Sequence, residues 1–303
     1  MTKLPVYYHV PKTAGTYALS VFFGMARVYS KQHNLWNDLN IDCEIVRHIL
    51  VYDNRQICVA RVIALDWKKT FCKDCNKLKP FDESGINFTC DIEALDEIIK
   101  QSNDTLQSFT LIIEPDGLRI WQRLESHFEC KYELHRFTFL RDPLQRVLSA
   151  YNYLTSSKSS HESMHLRLKQ ENPIAFNDFH AYIKSFDHDC FLIRSLLNMI
   201  GRYEKTTLHE RQYNEDLNEN HLERTKAILS KFTLVDIKDV DQCIDKVFLD
   251  CYGFEYQNCD KTYFTNLNHN KGPVPKAFKI EPWVTQDFLK WDYELYNHFI
   301  KDH

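Results

Sequence analysis

Glycine and proline are scarce in this sequence, which has 303 residues but only 7 glycines and 9 prolines. Flexible linkers are rich in glycine, and stiff linkers are rich in proline. The composition therefore excludes long linkers and favours a single domain over residues 1–303. Within it, residues 66–90 are polar, lysine-rich and irregular in pattern, and we predict that they form an insertion.

Long hydrophobic runs are also absent. A membrane-spanning helix needs about 20 apolar residues, and no stretch approaches that length. The N-terminus lacks the pattern of a secretory signal peptide. We therefore expect a cytoplasmic protein, unless an N-terminal anchor has been removed.

An excess of positive charge is missing as well. The chain carries 38 lysines and arginines against 42 aspartates and glutamates, a formal charge of −4. This balance excludes a general nucleic-acid binder. The 44% of hydrophobic and 26% of charged residues are typical of a globular protein.

Short apolar runs alternate with helical patterns along the chain. Residues 4–10, 109–113 and 136–140 read as buried strands, and a helical pattern follows each. Strands that alternate with helices predict an α/β fold, here a P-loop-like three-layer sandwich with a central, mainly parallel sheet flanked by helices. Further strands are predicted at 57–65 and 232–235, and further helices at 92–99, 173–186, 190–200, 208–229, 240–251 and 282–300.

Ligands of such sheets bind at the carboxyl ends of the strands. The loops that begin at Pro11, Glu114 and Arg141 should therefore share one edge.

The first loop reads Pro11-Lys12-Thr13-Ala14-Gly15-Thr16. Its backbone N–H groups, the helix dipole, one lysine and two hydroxyls can hold an anion. It is not a Walker A loop, because no G-x-x-x-x-G-K-[ST] string is present. The alternative is an ordinary turn with an exposed lysine.

The third loop begins a well-signalled helix. Asp142 is a favourable N-cap, Pro143 suits the first helical position, and Gln145 stands where a capping box needs it. Arg141 and Ser149 flank these signals, and an arginine fork donates two hydrogen bonds to a phosphate. Taken alone, the segment could equally be a capped helix with a surface arginine.

Together, YYHVPKTAGT near the start and TFLRDPLQRVLSAY some 130 residues later resemble the two cofactor-binding motifs of the sulfotransferase superfamily. The sequence is most similar to the carbohydrate branch with heparan sulfate 2-O-sulfotransferase and the chondroitin sulfotransferases. That branch moves a sulfuryl group from 3′-phosphoadenosine-5′-phosphosulfate (PAPS) to a hydroxyl of a saccharide and leaves 3′-phosphoadenosine-5′-phosphate (PAP). Animal members are anchored in the Golgi, which makes the Golgi lumen the alternative location.

The resemblance assigns roles to individual residues. Pro11, Lys12, Thr13, Ala14, Gly15 and Thr16 would hold the 5′-phosphosulfate, and Arg141 with Ser149 would hold the 3′-phosphate. The segment Asn270-Lys271-Gly272 resembles the loop that closes over the cofactor. Lys12 would neutralise the leaving oxygen in a loose, in-line transfer.

The acceptor hydroxyl also needs a base. The related 2-O-sulfotransferases have a histidine after the strand that precedes the second motif, where this chain has Glu114-Pro115-Asp116. We predict Glu114 as the base, Asp116 as the second candidate and His269 as a third. The alternative is that Glu114 only ends a strand and caps the next helix.

The predicted insertion contains Cys72, Cys75 and Cys90, with Cys58 as the nearest fourth cysteine. Structural zinc needs four ligands, and a second C-x₂-C pair is missing. A zinc site, a disulfide and plain thiols all remain open, and plain thiols are favoured. The insertion also carries five lysines that could attract an anionic acceptor, although a solvated loop explains them better: Lys68, Lys69, Lys73, Lys77 and Lys79.

Other functions compete with carbohydrate sulfation. A PAPS-dependent enzyme could act on a small metabolite, and the missing anchor favours this reading. A nucleotide or metabolite kinase would need a phosphate loop, and the absent Walker motif argues against it. A non-catalytic nucleotide-binding protein would not need Lys12. No nucleic-acid partner is expected, and the oligomeric state is left open.

Overall fold

The computed structural model describes residues 1–33, 46–52, 56–64, 108–155, 166, 169–170, 172–186, 190–197, 199, 216–253 and 279–301. The strands are β1 (Thr2–Tyr8), β2 (Val46–Tyr52), β3 (Gln56–Ala64), β4 (Ser108–Ile113), β5 (Tyr132–Leu140) and β6 (Thr233–Asp236). The α-helices are α1 (Gly15–Gln32), α2 (Trp121–Glu129), α3 (Pro143–Thr155), α4 (Pro173–Asn177), α5 (Phe179–Phe186), α6 (Phe191–Leu196), α7 (Glu219–Leu229), α8 (Val240–Tyr252) and α9 (Lys290–Tyr296). A 3₁₀-helix spans Pro115–Ile120, and π-helical turns at Val284–Phe288 and Asn297–Lys301 flank α9.

Most predicted elements are confirmed, but several predicted helices differ in extent. The helix expected over 190–200 spans only Phe191–Leu196, and the one expected over 282–300 is α9 with a π-helical turn on either side. The helix expected over 173–186 is interrupted at Asp178, whose extended backbone separates α4 from α5. The helix expected from 208 begins, among the described residues, at Glu219. Asn218 explains this start, because its side-chain oxygen accepts hydrogen bonds from the backbone N–H groups of Asn220 and His221. The segment 92–99 lies outside the described residues.

The chain forms two compact units, each assembled from several segments. The first unit comprises Met1–His9, Thr16–Thr138 and Lys238–Thr265. Its strands lie in the order β2-β3-β4-β1-β5. β1 is parallel to β4 and to β5, while β3 is antiparallel to both β2 and β4. The expected α/β class is confirmed: the centre of the sheet is parallel, and an antiparallel hairpin extends one side.

Helices cover both faces of this sheet. Tyr7 and Tyr8 are successive residues of β1, so their side chains point to opposite faces. The Tyr7 ring packs on Phe22 of α1, and Phe22 packs on Phe248 of α8, with centroid distances of 5.4 Å in both pairs. The Tyr8 hydroxyl donates a hydrogen bond to Glu125 of α2 on the other face. The three layers expected from the sequence are therefore present.

The second unit comprises Val10–Gly15, Phe139–Ile237 and Asn266–His303. Its core forms where the apolar stripe of α3 meets α4, α5 and the turn before α9. Tyr151 of α3 lies 5.5 Å from the ring of Phe179 and 5.1 Å from that of Tyr182. The other buried members of this cluster are Val147, Leu154, Ala175, Ile183, Val284 and Leu289. This packing holds the N-terminus of α3 in a defined position.

Among the described helices, none has both the length and the apolar character needed to cross a membrane.

A buried ion pair joins α2 to β5 within the first unit. Glu125 is only 2% exposed, and both of its carboxylate oxygens accept hydrogen bonds from Arg136 at 2.8–3.0 Å. Arg136 also pairs with Glu129, whose side chain is 52% exposed. Burial raises the pKa of the Tyr8 hydroxyl well above its usual value, and the Glu125 charge acts in the same direction. Tyr8 therefore stays protonated and donates to the carboxylate.

We predict that Glu125→Ala lowers the free energy of unfolding by about 3 kcal/mol, because it removes one member of a buried charged network and leaves the other groups without their partner. The measurement is urea denaturation followed by circular dichroism. Glu129→Ala is the matched control, since it removes an exposed partner of the same arginine and should cost less than about 1 kcal/mol. Equal losses in the two variants would contradict this assignment.

Candidate active site

The loop between β1 and α1 has an unusual backbone. Lys12 and Ala14 adopt positive φ angles of 67° and 63°. Residues other than glycine rarely adopt this left-handed backbone conformation. It costs on the order of 1–3 kcal/mol per residue and is concentrated at functional sites. The buried Thr13 hydroxyl donates a 2.8 Å hydrogen bond to the Val10 carbonyl and stabilises the turn from inside. Its hydroxyl is therefore engaged with the backbone, and the N–H groups of the loop are the donors that could face an anion.

Two cations of the second unit, Lys12 and Arg141, lie next to each other. The Arg141 guanidinium donates a 3.3 Å hydrogen bond to the backbone carbonyl of Lys12. Burial, and secondly the charge of Arg141, lower the pKa of the Lys12 ammonium to about 7. Burial also lowers the pKa of Arg141, although Asp142 and Asp236 act in the opposite direction. Within the described part of the chain, no carboxylate lies at ion-pair distance from either cation. This arrangement fits a negatively charged ligand.

One face of α3 carries the remaining groups of this site. The Lys12 Nζ atom lies 3.0 Å from the centre of the Tyr153 ring. Ser149 precedes Tyr153 by four residues, so both side chains lie on the same face of the helix. The half-buried Ser149 hydroxyl makes no hydrogen bond to any residue that the structure describes. The structure thus brings Lys12 and Arg141 together and places Ser149 on the helix face that contacts Lys12.

Arg146 has a different role from Arg141, although both belong to the second motif. Its guanidinium is buried and lies 3.4 Å from Oδ2 of Asp292 in α9. The same Asp292 oxygen accepts a 3.0 Å hydrogen bond from the backbone N–H of Cys190. A cavity beside this pair is also lined by Thr13, Arg141 and Tyr296. Arg146 therefore contributes to the wall of the site and is neutralised by the protein itself.

Glu114 lies in the first unit, at the end of β4. It is 5% exposed and forms no side-chain cap on the 3₁₀-helix that follows. Oε2 lies 2.8 Å from Nδ1 of His9, and Oε1 lies 2.7 Å from Nε of Arg61. The contact with Arg61 is an ion pair without the alignment of a hydrogen bond. The capping role considered for Glu114 is therefore not the one that the structure shows. Asp116 belongs to the 3₁₀-helix, and its side chain is not described.

Several predicted residues lie outside the described part of the chain. They are His269 and the loop Asn270-Lys271-Gly272, together with Cys72, Cys75, Cys90 and the five lysines of the insertion. The side chains of Cys58 and Thr16 are likewise not described. Among the residues that are described, no group of histidine, cysteine, aspartate or glutamate side chains is arranged to hold a metal ion.

Tyr153, His9 and Arg61 are site residues that the sequence reasoning missed. Tyr153 could have been found, because it follows Ser149 at helical spacing. His9 lies within the first motif, two residues before the loop at Pro11, and this position just after a strand was also a signal. Arg61 had no such signal, because its contact with Glu114 depends on the pairing of β3 with β4.

We predict that Lys12→Met stabilises the ligand-free protein at pH 7 and that this gain shrinks as the pH rises towards 10. The lysine is charged in the unfolded chain up to a pKa of about 10.4, whereas in the folded chain its pKa is about 7. Below pH 7 the cost of the buried charge therefore lowers the free energy of unfolding by its full amount. This destabilisation disappears as the pH rises from the folded-state pKa to the unfolded-state pKa. The measurement is urea denaturation of both proteins at pH 7 and pH 9.5. A gain that grows with pH would contradict this reading.

A comparison with protein families finds a match to the family described as "Sulfotransferase family", over residues 5–242. This match covers both motifs, the part of β1 from Pro5 onward, β2 to β6 and the start of α8. No curated protein and no solved structure is similar enough to the chain to count as a match.

Proposed function

The chain belongs to the sulfotransferase family, and from this premise we propose that it moves a sulfuryl group from PAPS to a hydroxyl of a carbohydrate acceptor. The observation that carries the proposal is the pair Lys12 and Arg141. Both are partly buried, both have a pKa lowered by burial, and neither has a carboxylate at ion-pair distance among the described residues. A protein gains nothing in stability from such a pair, whereas a bound anion would compensate both charges.

The residues present fit a nucleotide with two phosphate-bearing ends. The loop from Pro11 to Thr16 would hold the 5′-phosphosulfate with its backbone N–H groups and with Lys12. Its strained backbone at Lys12 and Ala14 supports this role. Arg141 and Ser149 would hold the 3′-phosphate, because a guanidinium fork and a hydroxyl suit the oxygens of a phosphate. The loop Asn270-Lys271-Gly272 would close over the nucleotide.

PAPS supplies an activated sulfuryl group with a good leaving group, the 5′-phosphate of PAP. The task of this chain is then to bind, to align and to neutralise charge. Lys12 would stay charged beside the anion and donate to the oxygen on which charge develops. Tyr153 would keep the lysine in place through its ring, since a cation over an aromatic face is attracted by about 0.5–2 kcal/mol. A residue at the end of β1 or β4 would accept the proton of the acceptor hydroxyl.

A carbohydrate is the acceptor that the motifs favour, because both resemble the carbohydrate branch of the family. A small-molecule metabolite is the second candidate, and the same assay separates the two. A kinase would require a phosphate loop of the Walker type, which the sequence lacks. We propose a cytoplasmic location, or the Golgi lumen if an anchor precedes the sequence in the cell.

We predict that wild-type protein transfers label from ³⁵S-PAPS to a member of a panel of glycans and small hydroxyl compounds. Lys12→Ala and Arg141→Ala should each reduce transfer by roughly 10²-fold or more, the first because it removes the charge that the developing anion needs, and the second because it removes a contact that binds and aligns the donor. Arg141→Ala should weaken equilibrium binding of PAP more than Lys12→Ala does, since it removes the contact to the 3′-phosphate.

Lys231→Ala and Arg224→Ala are the matched controls, because both remove an exposed cation of the second unit far along the chain from the two motifs. They should leave transfer and PAP binding unchanged. Wild-type PAP affinity in Arg141→Ala would overturn the assignment of the 3′-phosphate. Label on a small compound but on no glycan would replace the carbohydrate acceptor with a metabolite.

A further inference from the structure

The end of the parallel pair β1 and β4 holds an ionic cluster that the sequence reasoning did not combine. Its members are His9, which follows β1, Glu114, which follows β4, and Arg61 of β3. The backbone fixes all three positions. His9 donates its backbone N–H to the Ile113 carbonyl at 2.9 Å, and Arg61 is the β-partner of Ile112. Arg61 therefore lies on a strand, and His9 and Glu114 lie directly after the strands next to it.

We propose that His9 is the group that takes the proton from the acceptor hydroxyl, and that Glu114 and Arg61 are positioning residues that orient it. This inference rests on the proposed sulfuryl transfer and refines it, because it replaces Glu114 as the base. Two features of the cluster support it.

The first feature is the state of the Glu114 carboxylate. Arg61 lies 2.7 Å from one oxygen, and an adjacent guanidinium favours the ionised form of a carboxylate. The other oxygen is engaged with Nδ1 of His9. Glu114 is also 5% exposed, so an incoming hydroxyl has little access to it. A carboxylate that is held ionised and enclosed in this way is a poor proton acceptor for a substrate but a good orienting group.

The second feature is the geometry of the His9 ring. A carboxylate beside Nδ1 makes that nitrogen the donor, so the lone pair resides on Nε2. In the described part of the chain, Nε2 has no hydrogen-bond partner, and the His9 side chain is 18% exposed. The ring also stacks on Tyr7, with a centroid distance of 5.8 Å and an interplanar angle of 20°. The imidazole is thus fixed in orientation with one basic nitrogen available.

The proposed step moves one proton to His9 and one sulfuryl group to the acceptor. The acceptor oxygen forms its bond to sulfur while its proton passes to Nε2 of His9. The bond between sulfur and the bridging oxygen breaks, and its electron pair stays on the phosphate of the departing nucleotide. The imidazolium is stabilised by the charge of Glu114 and returns its proton to water. In the sequence, His9 stands three residues before Lys12.

The test compares His9→Ala, Glu114→Gln and the double variant. The measured quantity is the rate at which the ³⁵S-sulfuryl group of PAPS is transferred to an acceptor or to water. His9→Ala should lower kcat by about 10²–10⁴-fold, the usual contribution of a general base, while PAP affinity by calorimetry changes less than about twofold. Added imidazole should restore part of the lost rate. Glu114→Gln should lower kcat by roughly tenfold or more, and the double variant should be no slower than His9→Ala alone, because both act through one group.

His135→Ala is the matched control, since it removes a histidine from β5 that takes no part in the cluster, and imidazole should not affect it. A direct readout of the geometry is the ¹⁵N spectrum of the histidine side chains. It should show His9 with its proton on Nδ1 in the wild type, and this signal should change in Glu114→Gln. That readout does not depend on activity, so it stays informative if PAP fails to bind and the proposed function itself is wrong.

Either of two results would overturn the role of His9. One is near-normal turnover in His9→Ala together with a severe loss in Glu114→Gln, which would make Glu114 the base after all. The other is a His9 ring with its proton on Nε2, because such a ring cannot accept the hydroxyl proton at that atom.

Discussion

Parallel pairing of β1 with β4 and β5 is the constraint on which the candidate site depends. The register joins Val6 to Leu111 on one side and to Arg136 on the other. Because the three strands run in the same direction, the chain leaves all of them at one edge, and polar residues follow each strand there. In the first unit, His9 and Glu114 follow β1 and β4 and pair with each other. In the second unit, Arg141 contacts the backbone of Lys12.

The two groups have opposite electrostatic character. Lys12 and Arg141 are neighbouring cations without a carboxylate at ion-pair distance among the described residues, and the loop between β1 and α1 has a strained backbone at Lys12 and Ala14. Glu114, by contrast, is enclosed by an arginine and a histidine. Such local costs persist only where well-packed surroundings hold them. Here the aromatic layer around Tyr7 and Phe22 and the cluster around Tyr151 supply that packing.

Much of the fold could be predicted because buried parallel strands read as continuous apolar runs. This signal located β1, β4 and β5, and the N-cap at Asp142 is confirmed by its 3.0 Å hydrogen bond from the backbone N–H of Gln145. The strand β2 was missed. In the loop, the positive φ angles fall on Lys12 and Ala14, which sequence rules would not select for that conformation. A long-range side-chain partner such as Arg61 depends on strand pairing, and local patterns do not contain that information.

The most direct test of the account is the affinity of the wild-type protein for PAP, measured by titration calorimetry beside ADP and ATP. PAP and ADP both carry an adenosine with a 5′-phosphate, but only PAP has the 3′-phosphate assigned to Arg141 and Ser149. We predict that PAP binds at least about tenfold more tightly than ADP, which corresponds to about 1.4 kcal/mol. Equal affinities for PAP and ADP, or a preference for ATP, would contradict the central claim that this site holds a sulfuryl donor.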